Sequence, residues 1–276
     1  MVVFVGQGDA RRSMTLLWRA DRTEPAPARP GRRPGLTVDE IVDAAIALAD
    51  TGGMAALSMN AVGERLGRTG MALYTYVPGK AELVDLMYDR VLAEVPTDPP
   101  ASDDWRATLT TWSESLWEFY LRHPWMLQIS HARAVLGPNE YTMLETVVRI
   151  LSGSNLPAPV LMRVVNSLLH FVRGVARTIA ETRQAPGVTG VSDDQWWYAR
   201  SALLDEVTPD FAERFPTISR LAEERAFEMA DESVPYLEQE ARETFHIGLS
   251  VFLDGIEARI RRTPAGPGPA GPEAGR

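Results

Sequence analysis

The sequence predicts an all-α protein, with a small N-terminal helical unit followed by a larger helical domain. Apolar residues recur at helical spacing almost throughout residues 36–262, and no sustained two-residue alternation marks a sheet. Helix-opening and helix-closing residues fall at the edges of those stretches. With 276 residues, 45% of them hydrophobic, the chain has the material for one small and one larger core.

Taken in order, residues 1–35 combine arginines with Pro25, Pro27, Pro30 and Pro34 and read as a flexible, extended basic arm without a core. Either Met1 or Met14 serves as its start. Thr37 and Glu40 have the spacing of a capping box ahead of Ile41, Ala44, Ala45, Leu48 and Ala49, and Gly52-Gly53 closes that helix. Ser58 is placed to cap a second helix that runs to Leu66, with Leu57 and Val62 spaced as a hydrophobic staple and Gly67 as the breaker. Thr69 is placed to cap a third helix that turns Leu73 inward, and Pro78-Gly79 leads into a fourth from Lys80 to about Glu94. Residues 36–95 thus form one domain of three helices and a connector.

A proline-rich linker around Pro96–Pro100 precedes a second domain, residues 101–262. Trp105, Leu109, Trp112, Leu116 and Phe119 form a helical stripe that Pro124 terminates. Further helices are expected at about 139–152 and 158–183, with starts at Ser192 (paired with Gln195) and at Thr208 before Pro209, and a last helix over 237–262. The stretch Val160–Ile179 is apolar on most of its circumference and is expected to be surrounded. Residues 263–276 read as a disordered tail of Pro, Gly and Ala.

Composition removes several classes of function. The chain has no cysteine, which excludes disulfides, thiolate nucleophiles and sulfur-ligated zinc, and fits a reducing cytoplasm. No apolar run approaches the roughly 18 residues of a membrane span. No phosphate loop, nucleophile elbow or paired-histidine zinc motif occurs, and the fragment Gly6-Gln7-Gly8 is followed by Arg11 where a dinucleotide fingerprint needs glycine. No catalytic residue and no metal site is therefore expected. The net charge of −9 hides an uneven distribution, because between Ala10 and Gly35 Arg11, Arg12, Arg19, Arg22, Arg29, Arg32 and Arg33 face only Asp21 and Glu24. A basic arm on an acidic body can engage phosphate at one end, and it is equally consistent with a solvated tail.

Two short helices joined at Gly67 are the arrangement of a helix-turn-helix, which sets its second helix into a major groove. The residues LTVDEIVDAAIALADTGGMAALSMNAVGERLGRTGMALYTYVPGKAELVDLMYDRVL, from Leu36 to Leu92, resemble the DNA-binding region of the TetR family of repressors. More weakly, WSESLWEFYLRHPWML and LLHFVRGVARTIAE resemble the helical ligand-binding and dimerisation domain of the tetracycline-repressor branch. The resemblance implies a homodimeric repressor of double-stranded DNA, released by a small-molecule effector whose identity the chain does not declare. It implies a dimer bundle drawn from the 158–183 and 237–262 helices.

Within the reading unit, Arg68, Thr69, Gly70, Met71 and Ala72 are expected to face base edges, with methyl contacts from Met71 and Ala72 to thymine. Asn60 falls where relatives carry a longer polar or basic residue, and its amide can pair with adenine. Tyr74, Thr75 and Tyr76 match positions that contact backbone or adjacent bases, with a core role open for Tyr74. Lys80 is expected to hold phosphate at a helix start. Arg29, Arg32 and Arg33 are expected to reach the neighbouring backbone or minor groove. By resemblance, His123 and His170 match effector-contacting positions, the latter also touching the effector's magnesium. Trp112, Trp117, Phe119, Trp125, Phe171 and Arg173 are further candidates for an effector cavity. Helix packing is the favoured reading of the two histidines, and each of the others reads at least as readily as core. A helical small-molecule-binding protein or enzyme with a degenerate reading unit is the alternative from another class.

Overall fold

The computed structural model describes residues 2–19, 36–98, 104–228 and 234–262. Twelve helices occur among the described residues: α1 (Ala10–Leu17), α2 (Val38–Ala56), α3 (Met59–Arg65), α4 (Gly70–Leu73), α5 (Lys80–Leu92), α6 (Trp105–Arg122), α7 (Pro138–Leu151), α8 (Ala158–Thr189), α9 (Asp193–Val207), α10 (Phe211–Arg214), α11 (Pro216–Glu223) and α12 (Tyr236–Arg262). Two two-residue strands, β1 (Val3–Phe4) and β2 (Ile129–Ser130), pair in parallel. The chain divides into two compact units, one comprising residues up to Arg173 and from Leu253 onward, the other Gly174–Phe252.

The first unit is built around α5, which packs against α1, α2 and α7. Leu83, Val84, Leu86, Met87, Val91 and Leu92 are all buried there, and each such side chain contributes roughly 1.5–3 kcal/mol by leaving water. The same helix buries three carboxylates, Glu82, Asp85 and Asp89. Each is matched to a backbone segment that needs an acceptor. Asp89 takes the N–H groups of Asn139 and Glu140 at 3.0 and 2.9 Å and the Asn139 amide at 3.0 Å, so it caps α7, whose own N-cap position, Gly137, has no side chain. A Cβ at Gly137 would strike the Asp89 carboxyl.

The N-terminal segment departs from the flexible arm expected over residues 1–35. Residues 2–19 are folded onto α5: Gly6 N–H and Ser13 Oγ donate to Asp85 at 2.8 and 3.1 Å, and Asp9 N–H donates to Glu82 at 3.1 Å. Val5 and Leu17 are buried, and Trp18 Nε1 donates to Leu136 O at 3.0 Å. The physical reason lies in where the prolines sit. All four fall within residues 25–34, leaving residues 2–19 free to pair and to form a helix capped by Asp9. The expected role of Arg29, Arg32 and Arg33 lies outside the described residues, as does the expected tail.

Local signals elsewhere hold. Thr37 and Glu40 form a capping box, and Ser58 accepts Ala61 N–H above buried Leu57 and Val62. Gly53, at φ 64°, breaks the helical course inside α2. Ser192 and Gln195 form a second capping box at α9. Thr208, expected to open a helix, instead closes α9 by donating its backbone N–H to Leu204 O, and α10 opens after Asp210. α8 runs past residue 183 to Thr189 and accommodates Pro186. It is not surrounded within its own chain: Val165, Leu168, Val172, Ala176 and Ile179 are buried on one face, while Met162, Asn166 and Gly174 are exposed.

In the second unit, Ala176, Ile179, Ala241, Phe245 and Leu249 are buried. Arg183 grips Glu238 with two bonds of 3.1 and 2.6 Å, and Arg242 adds a third at 2.8 Å. The Arg183 hydrogen bond is the main reason the Glu238 carboxyl is held down to about 2.

Candidate nucleic-acid interface and sensing core

The reading unit depends on how closely α3 and α4 approach. Gly67, at φ +64°, takes the left-handed conformation that ends α3, and Arg68 N–H returns to Gly63 O at 2.8 Å. A Cβ on Gly63 would lie 2.8 Å from Gly70 N, and one on Gly70 would strike the Asn60 side chain and lie 3.1 Å from its Cα. Two glycines facing each other therefore let the helices touch at backbone distance. Gly70, expected among the base-facing residues, is buried in this seam. Its task is packing.

The outer face of the same turn carries the other expected residues. Asn60, Arg68, Thr69, Ala72 and Thr75 are exposed, Met71 and Tyr74 are 76% and 46% exposed, and Tyr76 is half-buried. Leu73 and Val77 anchor the turn from within. Thr69 sits at the N-cap position of α4 but makes no side-chain capping bond, which leaves its hydroxyl for other partners. Lys80 donates from Nζ to Leu57 O at 2.6 Å, closing the end of α2. One ammonium donor is spent there and two remain for phosphate. Arg65 and Arg68 are exposed, and neither makes an ion pair among the described residues.

The four residues expected at the effector each have partners of their own. Trp112 is buried and donates from Nε1 to Pro96 O at 3.1 Å, fixing the linker. His123 lies between two carboxylates, Nδ1 2.7 Å from Asp50 and Nε2 3.0 Å from Glu94. With both ring nitrogens engaged, it joins α2, the segment after α5 and the end of α6. His170 is exposed on α8 with Nδ1 2.6 Å from Asn166 O, and Phe171 beside it is half-buried.

A different polar cluster occupies the first unit. Tyr88 OH donates to Glu140 at 3.4 Å, and its ring meets His131 edge-on at 6.3 Å. Desolvation, then the charges of Arg173 and His170, hold His131 down at about 4. Burial pushes Tyr120 up to about 12 and raises both Tyr88 and Glu140. The Arg173 guanidinium donates to Leu127 O and Ile129 O at 2.9 and 2.5 Å, pinning the turn before β2. The sequence signal for this cluster was faint: tyrosines at apolar positions of helical stripes, and a histidine outside any ligand spacing.

The sequence profile of bacterial regulatory proteins of the tetR family matches residues 41–87, and that of the tetracyclin repressor-like C-terminal domain matches residues 96–260. The chain belongs to the TetR family. A relative from Streptomyces coeruleorubidus, the HTH-type transcriptional repressor DrrR1, is 35% identical over 258 residues, 92% of this chain and 88% of that protein. The TetR family protein ActR of Streptomyces coelicolor, in its complex with actinorhodin, superposes with a TM-score of 0.64 at 25% identity, covering 82% of this chain and 98% of ActR. Apo ActR superposes with a TM-score of 0.62. TetR regulators bind DNA as dimers and answer to small molecules, and this chain is a DNA-binding transcriptional regulator of that kind. No helix among the described residues is long and apolar enough to cross a membrane.

Proposed function

We propose that the protein is a homodimeric repressor that acts in the cytoplasm, has no catalytic role, and leaves its operator when a planar, hydroxylated aromatic molecule binds. The observation that carries the DNA-binding half is the outward face of α4, where Thr69, Met71, Ala72, Tyr74 and Thr75 stand exposed on a turn locked from behind by Gly63 and Gly70. Asn60 and Arg68 flank them, and Tyr76 and Lys80 bracket the backbone side. Two such heads, held by dimerisation, meet successive major grooves about 34 Å apart on a near-palindromic site.

Two observations support the effector class. ActR, which shares this fold over nearly its whole length, is seen with actinorhodin. The Tyr88, Tyr120, His131 and Glu140 cluster offers two phenols, a carboxyl whose pKa burial raises and an imidazole held neutral by desolvation. Such a set of aromatic rings, donors and acceptors suits an aromatic with ring hydroxyls or quinone oxygens. Capture of genomic fragments followed by footprinting tests the first half: a protected near-palindrome is expected, and equal retention of random duplex sinks it. Release of the captured fragment by hydroxylated quinones, but not by aliphatic acids of similar size, tests the second.

A further inference from the structure

We propose that the folded N-terminal segment is a second DNA-backbone contact in each protomer, presenting Arg11 and Arg12 to phosphates that flank those held at the start of α5. The proposal rests on the DNA-binding reading and extends the interface to an element outside the matched family regions, which begin at residue 41.

Position is the first argument. Gly8 and Asp9 lie directly against Glu82, in the first turn of α5, and Asp9 caps α1 through Arg12 N–H at 2.9 Å. The first turn of α1 is therefore fixed beside the first turn of α5, which also carries the Lys80 that closes the reading unit. Ser13 and Gly6 on Asp85 hold it there, so the two arginines are carried on an ordered helix.

Charge is the second argument. Arg11 and Arg12 are exposed, and their guanidinium groups make no ion pair or hydrogen bond among the described residues. In the described part of the chain before residue 99, the arginines without a carboxylate partner are Arg11, Arg12, Arg65 and Arg68, while Arg19 is paired to Asp39 and Arg90 to Asp43. The acid that would repel phosphate from the start of α5, Glu82, is only 7% exposed because the N-terminal segment covers it. Asp9 spends its carboxylate on the cap of α1. The docked segment thus covers Glu82 and brings two guanidinium groups against the one carboxylate of Asp9, a net gain of positive charge that a phosphate backbone favours.

The test uses the full chain, with fluorescence anisotropy on a labelled mixed-sequence duplex over roughly 50 to 200 mM salt, where phosphate contacts set the slope. R11Q/R12Q is expected to flatten the slope of log affinity against log salt by up to ~3.6 for a dimer, at ~0.9 per lost phosphate. R11K/R12K, which keeps the charge, is expected to retain the steep slope. A slope for R11Q/R12Q within ~0.9 of wild type overturns the proposal. So does equal flattening by the lysine pair, which would mark a structural effect. Failure of the wild-type chain to bind any duplex would instead overturn the DNA-binding reading, and this proposal with it.

Discussion

At Gly70 a single hydrogen separates two helices, and the energetics of the reading unit follow from that spacing. Gly70→Ala forces a methyl into the Asn60 side chain and toward its backbone 3.1 Å away, a rigid neighbour rather than a flexible tip. A loss of about 1–3 kcal/mol in stability is expected, read as a lower unfolding midpoint in urea together with weakened DNA binding. Asp85 is the opposite kind of residue, a buried charge kept for its two hydrogen bonds. Desolvation holds its carboxyl, and those of Asp89 and Glu140, above the ordinary range. Their contribution to stability is complete below the unfolded value and declines as pH rises through the raised ones. Asp85→Asn keeps an oxygen for Gly6 N–H and removes the charge. The variant should be at least as stable as wild type near pH ~7.5 and gain less than wild type on acidification toward pH ~5; a larger gain in urea titrations across that range would contradict the assignment. The sequence showed which side chains could face outward, such as Met71 and Asn60. It did not show that Gly70 faces inward, because a glycine in a short helix carries no pattern of its own.

Elements whose signals are local were legible, and those whose partners are distant were not. The capping boxes at Thr37 and Ser192 close over four residues, so spacing alone reveals them. The N-terminal segment is held by carboxylates more than seventy positions away, and its helix was concealed by averaging composition across neighbouring prolines. The cap of α7 likewise comes from Asp89, fifty residues upstream. His123 belongs to this scale because it joins three helices. His123→Ala leaves Asp50 with the Trp125 indole, 2.7 Å away, but severs the link to Glu94. A loss of roughly 1–3 kcal/mol in unfolding free energy is expected, with a smaller effector-induced change in DNA affinity because α6 no longer grips the reading domain. A variant with wild-type unfolding and wild-type effector response would remove that link from the mechanism.

For the whole molecule, regulation is a coupling between two binding events and must be reciprocal. If an effector weakens DNA binding by a given factor, saturating duplex must weaken effector binding by the same factor. Calorimetric titration of a hydroxylated quinone into the free protein and into its DNA complex checks this, with an expected gap of about 5–150-fold, or about 1–3 kcal/mol of coupling. Identical effector affinity in both titrations would show that the ligand does not act through the DNA-competent state. One face of α8 stays uncovered in the single chain, which agrees with a partner subunit completing the burial that periodicity alone assigned to the monomer.

Periodicity, caps and breakers determined the helical class, the order of the helices from α2 to α9 and the reading unit, since each depends on interactions spanning only a few residues. The fold decided the rest: that residues 2–19 dock on α5, that Gly70 is a seam, that Lys80 and His123 are structural ties, and that phenols and a carboxyl gather near Arg173. Those outcomes arise where distant segments compete for the same buried donors and acceptors, and that competition is resolved only when the chain closes on itself.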